Sequence, residues 1–496
     1  MRTLYRGGRV HTPADPSATA LLTDGDRIAW LGPDADAPTG ADRVVDLAGA
    51  LLTPAFVDAH VHTTATGITL QGLDLTATRS ATDVLDAVAA HAATLPPDAV
   101  VIGHGWDESG WAEQTTPSSA ELDRAGGGRA VYLSRTCVHA ALVSSKLLTG
   151  GVRGDGRGWL TRDDHHTARA AAYGSITAAQ IHAAQQATLR HAASLGIAAI
   201  HECGGPGTSG EDDFTAALAH GPQFPKVYGL WGEAGAAAKA RELGARGAAG
   251  DLYADGALGA RTAHLSHDYL DDHGSAGHGY LSAEQIGEHL VGCVEHGMQG
   301  GFHAIGDAAI GTVLAGFGHA ARAVGVERLR AGRHRIEHAE LLDKAAIAKF
   351  VEYGIVASIQ PAFDRRWGGE HGMYAQRLGP QRALSANPIG SMAGVGVLLA
   401  FGSDSPVTPL DPWGSCRAAM RHHNPVQRIG PKAAFAAHTR GGWRAVGDDD
   451  EGVLNPGGTA TFTVWDTTAT LTAVLTGDDT PAARTTVLAG TDIWTL

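Results

Sequence analysis

At 496 residues, with 44% hydrophobic and 18% charged residues, the chain has length for one large domain plus a smaller partner and an ordinary globular composition. Its formal net charge of −14 repels nucleic acid and anionic lipid, so neither is expected as a partner. It shows no membrane-length apolar run, no signal-peptide pattern at its start and no CxxC pair among its four cysteines, and a cytoplasmic protein with buried thiols is expected.

The chain opens on short strand-like runs. Leu4–Val10 alternates, Ala20–Thr23 and Arg27–Leu31 flank Asp24-Gly25-Asp26, and Val44–Leu47 follows a polar turn. Asp-Gly between apolar runs signals a hairpin. The end of the chain has the same character, in Thr459–Trp465, Thr485–Ala489 and Thr491–Leu496. Residues 1–50 and 450–496 are therefore expected to build one small β domain from both termini, with two unrelated β extensions as the alternative.

Between them, residues 51–449 alternate apolar runs with Ala-rich helical stretches such as Ala309–Ala323 and Lys344–Tyr353, the pattern of βα units. The apolar runs are Leu51–Asp58, Ile197–Glu202, Lys226–Trp231, Asp251–Asp255, Gln299–Ala304, His334–His338, Ile355–Gln360 and Val397–Ser403. Eight such repeats predict an α/β fold, the (β/α)8 TIM barrel, whose functional groups lie at the C-terminal strand ends. Roughly 130 residues separate the first two runs, far more than a βα connection needs. That stretch has strand-like runs of its own, Ala99–Ile102 and Ala130–Leu133, and an inserted subdomain over the barrel mouth is expected at about residues 64–180.

Four segments carry metal-ligating residue types where an apolar run stops: Asp58-Ala59-His60-Val61-His62, Gly301-Phe302-His303, Arg335-Ile336-Glu337-His338 and Phe401-Gly402-Ser403-Asp404. His60 and His62 lie two apart, so on a strand both face the same side. His303 or His338 alone would read as a hydrogen-bonded core histidine; at neighbouring strand ends the two together resist that account. A carboxylate such as Asp404 after so apolar a run is costly to bury without a cation or donors, helix capping being the alternative. Imidazole and carboxylate groups converging on one mouth suit Zn²⁺ or a similar ion and point to metal-assisted hydrolysis.

The chain resembles the amidohydrolase superfamily, in particular its amidohydrolase-3, YtcJ-like branch, which includes N-substituted formamide deformylases. The resemblance spans nearly the whole chain and rests on six ordered motifs. They are Pro54–His62, Gly103-His104-Gly105-Trp106-Asp107-Glu108-Ser109, Ala254–Ala263, His303–Ala309, His334–Ala339 and Gly402-Ser403-Asp404-Ser405-Pro406. It implies a TIM barrel, a β-sandwich from both termini, and hydrolysis of an amide or formamide-like C–N bond of a small molecule by metal-activated hydroxide. It maps His60, His62, His303, His338 and Asp404 onto the ligands of one or two divalent ions, zinc being expected. Dimers are common in the superfamily, which makes a homodimer one expectation for the assembly.

One departure stands out. Related sequences place a carboxylated, metal-bridging lysine four residues before the Asp-Gly of the fourth strand, where this chain has Asp251. Glu202, ending the second strand, is the first candidate to replace it and Asp251 the second; Cys203 reads as a plain buried thiol. Asp404 is the expected general acid–base, with His338 or His303 contacting the tetrahedral oxyanion if a single metal is bound. Trp106, Asp107 and Trp111 in the insertion, with Trp231 at the end of the third strand, are candidates for substrate binding; core packing is the alternative for the tryptophans. Arg261 and Asp255 are expected to pair with each other or to meet substrate. His139 sits where the family often has histidine, but Cys137 and Ser144 nearby depart from its pattern. A ring C–N hydrolase or deaminase and a non-catalytic metal-binding homologue remain the alternatives.

Overall fold

The structure, a computed structural model, describes the chain except for residues 109, 110, 136–139, 150, 153, 154 and 156 and the side chains of residues 162, 163 and 166. Ser109, Cys137 and His139 lie outside the described residues. The chain divides into two compact units, one of residues 1–62 and 189–496 and the other of residues 63–188.

The larger unit is built around eight parallel strands. They are β1 (Phe56–Val61), β2 (Ile197–Gly204), β3 (Lys226–Trp231), β4 (Gly247–Ala248), β5 (Gln299–Ala304), β6 (Arg335–His338), β7 (Val356–Ile359) and β8 (Leu399–Phe401). Each pairs with its neighbours in sequence order. Past the end of β8, Asp404 N donates to His60 O at 2.8 Å and Ser405 O accepts from His62 N at 2.9 Å, which joins the last strand to the first. This is the expected TIM barrel. Most of these strands are buried along their whole length, which is why they read as continuous apolar runs rather than alternating ones. A Cβ at Gly402 would sit 2.6 Å from the His60 amide nitrogen, so glycine alone permits this approach of β8 to β1.

Helices cover the outside, among them Ala283–Glu295, Asp307–Val324 and Lys344–Tyr353. Their ends follow ordinary capping chemistry. Ser282 and Gln285 form a reciprocal capping box, Asp343 accepts from Ala346 N, and Gly354 ends its helix in the left-handed conformation at φ 65°.

Two of the expected strands are corrected. The run Leu51–Asp58 divides at Ala55: Leu51–Pro54 pairs antiparallel with Phe462–Trp465, and the barrel strand starts at Phe56. Both halves are buried, so their hydrophobicity carries no boundary. The fourth strand is Gly247–Ala248 rather than Asp251–Asp255. Gly and Ala carry little strand signal, and Gly250, at φ 79°, turns the chain before Asp251.

Both termini contribute to the β-sandwich of this unit. One sheet orders Arg27–Gly32, Ala20–Asp24, Arg2–Arg6 and Arg43–Asp46. The other orders Arg9–Val10, Leu51–Pro54, Phe462–Trp465, Ala483–Leu488 and Thr491–Thr495. Tyr5, Leu21, Ile28, Leu52, Phe462 and Val487 pack in the core they share. The expected hairpin forms, with Asp24 opposite Arg27 and Gly25 at φ 58°.

The second unit, inserted after β1, has a mixed sheet in the order Trp159–Thr161, Ala140–Val143, Val131–Arg135, Val101–Trp106 and Leu73–Asp74. Among the described residues, no helix is long and apolar enough to cross a membrane.

Candidate functional site

At the C-terminal ends of the barrel strands, side chains from β1, β5, β6 and the segments after β4 and β8 converge. Asp251, buried three residues beyond β4, lies at their centre. Its Oδ1 is 3.6 Å from His60 Nε2, 3.6 Å from His303 Nδ1 and 4.0 Å from His338 Nε2, and its Oδ2 is 3.3 Å from His62 Nε2. Asp404 Oδ1 closes the ring at 3.5 Å from His60 Nε2 and 3.2 Å from His62 Nε2. His60 and His62 share a strand face, as their spacing requires.

The imidazoles are oriented from behind. His60 Nδ1 lies 3.0 Å from Glu337 Oε2, His338 Nδ1 2.7 Å from Gln360 Oε1, and His303 Nε2 3.1 Å from the carbonyl oxygen of Gly256. Each of these partners is an acceptor, so an N–H of each ring is directed there and the other ring nitrogen faces Asp251. Glu337 is itself clasped by Arg335, whose Nε is 2.5 Å from Oε1 and whose second guanidinium nitrogen is 3.0 Å from Oε2. Burial pushes the Glu337 carboxyl up, but Arg335 and His60 outweigh it and hold the group below the usual carboxylate range. Burial likewise raises Asp251, yet the surrounding His60, His303 and His62 hold it well below the ordinary value.

His60 Nε2, His303 Nδ1 and Asp251 Oδ1 are buried and have no hydrogen-bond partner among the described residues. Buried ring nitrogens and a carboxylate oxygen turned toward one another are the donor set a divalent cation takes. Three triads, His60-His62-Asp251, His60-His338-Asp404 and Asp251-His303-His338, each bring their ligating atoms within 4.8 Å of one another. The residues present therefore fit a divalent ion. A fourth triad, of His60, Cys203 and Glu337, meets the same distance. Its Glu337 is already committed to Arg335 and to His60 Nδ1.

Backbone strain gathers here. His338, Ala339 and Asp404 have φ of 69°, 47° and 56°, left-handed values that non-glycine residues adopt only when surrounding structure enforces them. Asp58 pins the two edges of the ring, accepting from Ser403 N at 2.9 Å and from His60 N at 3.2 Å.

Beside the cluster lies a cavity of about 330 Å³. His62, Asp251, His303, His338 and Asp404 line one side of it, and Tyr253, Leu258, Ile305, Phe363, Trp367 and Tyr374 form much of the remainder. Glu340 also reaches it, and burial pushes its carboxyl up to about 7.

Of the expected site residues, His60, His62, His303, His338 and Asp404 come together. Glu202 does not: it belongs to none of the ligating groups among the described residues, whereas Asp251 belongs to two. His201 Nδ1 faces Arg335 at 3.0 Å, and successive strand residues point to opposite faces, so Glu202 is turned away from the ring. Trp231 is also relocated. It is buried against Phe214, with ring centroids 5.1 Å apart, and does not line the cavity. In the second unit Trp106 is a core residue packed on Trp159, its indole N–H donating to Leu133 O at 2.9 Å. Asp107 pairs with Arg135 at 2.6 Å, and Trp111 donates to Thr78 O at 3.2 Å. Arg261 and Asp255 do not pair with each other. Arg261 binds Asp271 at 2.8 Å, and Asp255 accepts from the backbone of His264, Ile305 and Gly306.

Residues 43–491 match Amidohydro_3, the amidohydrolase family. The chain belongs to the amidohydrolase family. Among the relatives of this amidohydrolase is YtcJ of Bacillus subtilis (strain 168), 29% identical over 87% of this chain and 86% of that protein. Another is the N-substituted formamide deformylase of Arthrobacter pascens, 23% identical over 80% of this chain and 78% of that protein. An uncharacterized metal-dependent hydrolase from Pyrococcus furiosus shares the fold, with a TM-score of 0.80, 24% identity, and coverage of 94% of this chain and 99% of that one.

The sequence reading missed Glu337, Gln360, Tyr253, Glu340 and the aromatic wall. Glu337 carried a usable signal: it stands two residues from Arg335 on a strand whose every residue is buried, and two charges so placed must pair. The aromatic residues gave none, because they lie on helices Pro361–Trp367 and Met373–Leu378, where such residues normally serve a core.

Proposed function

We propose that this amidohydrolase hydrolyses an amide or formamide-like C–N bond of a small molecule, with a divalent ion, zinc foremost, held by His60, His62, Asp251, His303, His338 and Asp404. The observation that carries this reading is the set of buried imidazole nitrogens turned toward one carboxylate beside an apolar cavity. Asp251 then stands where related sequences have the bridging lysine, its two oxygens facing different histidines.

An ion in this position supplies a Lewis acid for the substrate carbonyl and lowers the pKa of a coordinated water from about 16 toward roughly 7. The protein's own side chains do the rest. Asp404, facing both the cavity and the β1 histidines, takes the proton of the attacking water and returns it to the departing nitrogen. His303 Nε2 and His338 Nδ1 face the Gly256 carbonyl and Gln360 Oε1, so the nitrogens nearest Asp251 are the ones placed for ligation, which favours that role over donation to an oxyanion. The apolar wall excludes bulk water and strengthens the electrostatics inside.

The test is metal analysis of the purified chain together with a hydrolysis screen over N-acyl and N-formyl amines. Bound zinc with turnover that a chelator abolishes supports the proposal. Bound metal with no turnover of any C–N substrate would replace it with a binding role.

A further inference from the structure

The wall of the cavity ends at a carboxyl group for which the hydrolysis above has no use. Phe363 stacks on His338 with ring centroids 5.8 Å apart and planes 9° from parallel. Trp367 follows at 4.8 Å from Phe363, and Tyr374 at 6.5 Å from Trp367. The Tyr374 side chain hydrogen-bonds Glu340, which lines the same cavity and is only 2% exposed. A file of aromatic rings thus runs from the ligand cluster to a buried carboxyl.

The backbone at Glu340 is held in place, while its carboxyl is incompletely satisfied. The Glu340 carbonyl accepts from Asn387 N at 2.7 Å, and Asn387 keeps a left-handed φ of 51° to make the bond. The Asn387 side chain also bonds Tyr374. Yet among the described residues Glu340 Oε2 has no hydrogen-bond partner and no lysine or arginine lines the cavity. A carboxyl oxygen left unpaired in an apolar cavity is costly. A cationic N–H donor entering the cavity supplies the missing partner, and the faces of Phe363, Trp367 and Tyr374 attract the same charge. The net charge of −14 favours a cationic visitor over an anionic one.

We propose that Glu340 is a specificity-determining residue, selecting molecules that carry an ammonium group on an apolar, ring-sized body. This rests on the C–N hydrolase reading only in calling such a molecule a substrate; the binding itself needs no turnover. The ammonium meets Glu340 where that residue lines the cavity beside the aromatic wall.

The experiment is calorimetric titration of the metal-loaded full-length chain at about pH 8.5, where the Glu340 carboxyl is ionised and the amine still cationic, with 2-phenylethylamine and with its neutral counterpart 2-phenylethanol. The amine should bind at least about tenfold tighter, the scale of one hydrogen bond to a charged group. In Glu340→Gln the two affinities should converge to within about twofold, with Tyr374→Phe retaining most of the preference. Equal affinities in the parent protein, binding of neither compound, or a preference that persists in Glu340→Gln would each overturn the proposal. The last pattern is what an amine ligating the metal directly would give. A Glu340-dependent preference combined with no hydrolysis of any amide would sink the reaction assignment and leave this site standing.

Discussion

Glu337 holds His60 by the back of its ring: Oε2 accepts from Nδ1 at 3.0 Å, while Arg335 grips the same carboxylate. This fixes which nitrogen of His60 faces Asp251 and where it points. In Glu337→Gln the amide keeps the shape but loses the charge that offsets Arg335. Metal affinity is expected to fall by about 10- to 100-fold, with a loss of about 3–5 kcal/mol of stability from the stranded buried guanidinium. Zinc titration of the folded variant checks the first figure, and denaturant unfolding the second. Unaltered zinc affinity would mean that packing alone orients the ring.

Asp251 and Glu202 are separated by the same reasoning. Asp251 has oxygens toward His60, His303, His338 and His62, whereas Glu202 belongs to no ligating group among the described residues. Asp251→Asn is expected to strip metal from the purified protein, while Glu202→Gln keeps the parent stoichiometry. Elemental analysis of both variants side by side decides. Metal loss confined to the Glu202 variant would reverse the assignment.

The contrast between these carboxylates shows what the sequence carries. Histidines and Asp404 were legible because each follows a long apolar run, and a buried strand end is a recognisable place in a barrel. Asp251 was obscured because its strand is only Gly247–Ala248, too short and too small in side chain to register. The apparent run therefore began at Asp251 instead of ending before it. Glu202 misled for a complementary reason: it ends a good apolar run, but its place in the strand's alternation turns it from the ring, and only the His201–Arg335 contact reveals which face is which. Leu51–Pro54 was assigned to the barrel because burial in a sandwich and burial in a barrel look alike in composition.

Asp404 combines two positions, 3.2 Å from His62 and on the wall of the cavity, that suit a proton carrier. Asp404→Asn retains an oxygen for the metal but cannot take a proton. Turnover is expected to drop at least about a hundredfold, the general acid–base scale, with metal content unchanged. Steady-state rates on an amide turned over by the parent, with metal content measured on the same samples, check this. Near-normal turnover would remove Asp404 from proton transfer.

Stability toward acid turns on a histidine outside the cluster. His334 is buried, accepts from Gly300 N at 2.8 Å through Nδ1, and packs edge-on to Phe317. Burial first, and His289 second, push it down from 6.5 to about 3. A folded-state value below the unfolded one means that the unfolded chain takes up the proton first as pH falls. The contribution of neutral His334 is therefore complete above pH 6.5 and is lost progressively down to about 3. At about 1.4 kcal/mol per pH unit, the loss between pH 6.5 and pH 5 is about 2 kcal/mol. Urea unfolding of the parent and of His334→Asn at both pH values isolates this term, since other buried histidines cancel between the two proteins. The stability gap between them should narrow by about 2 kcal/mol at the lower pH. A gap that stays constant would show that His334 does not exchange protons with the unfolding transition.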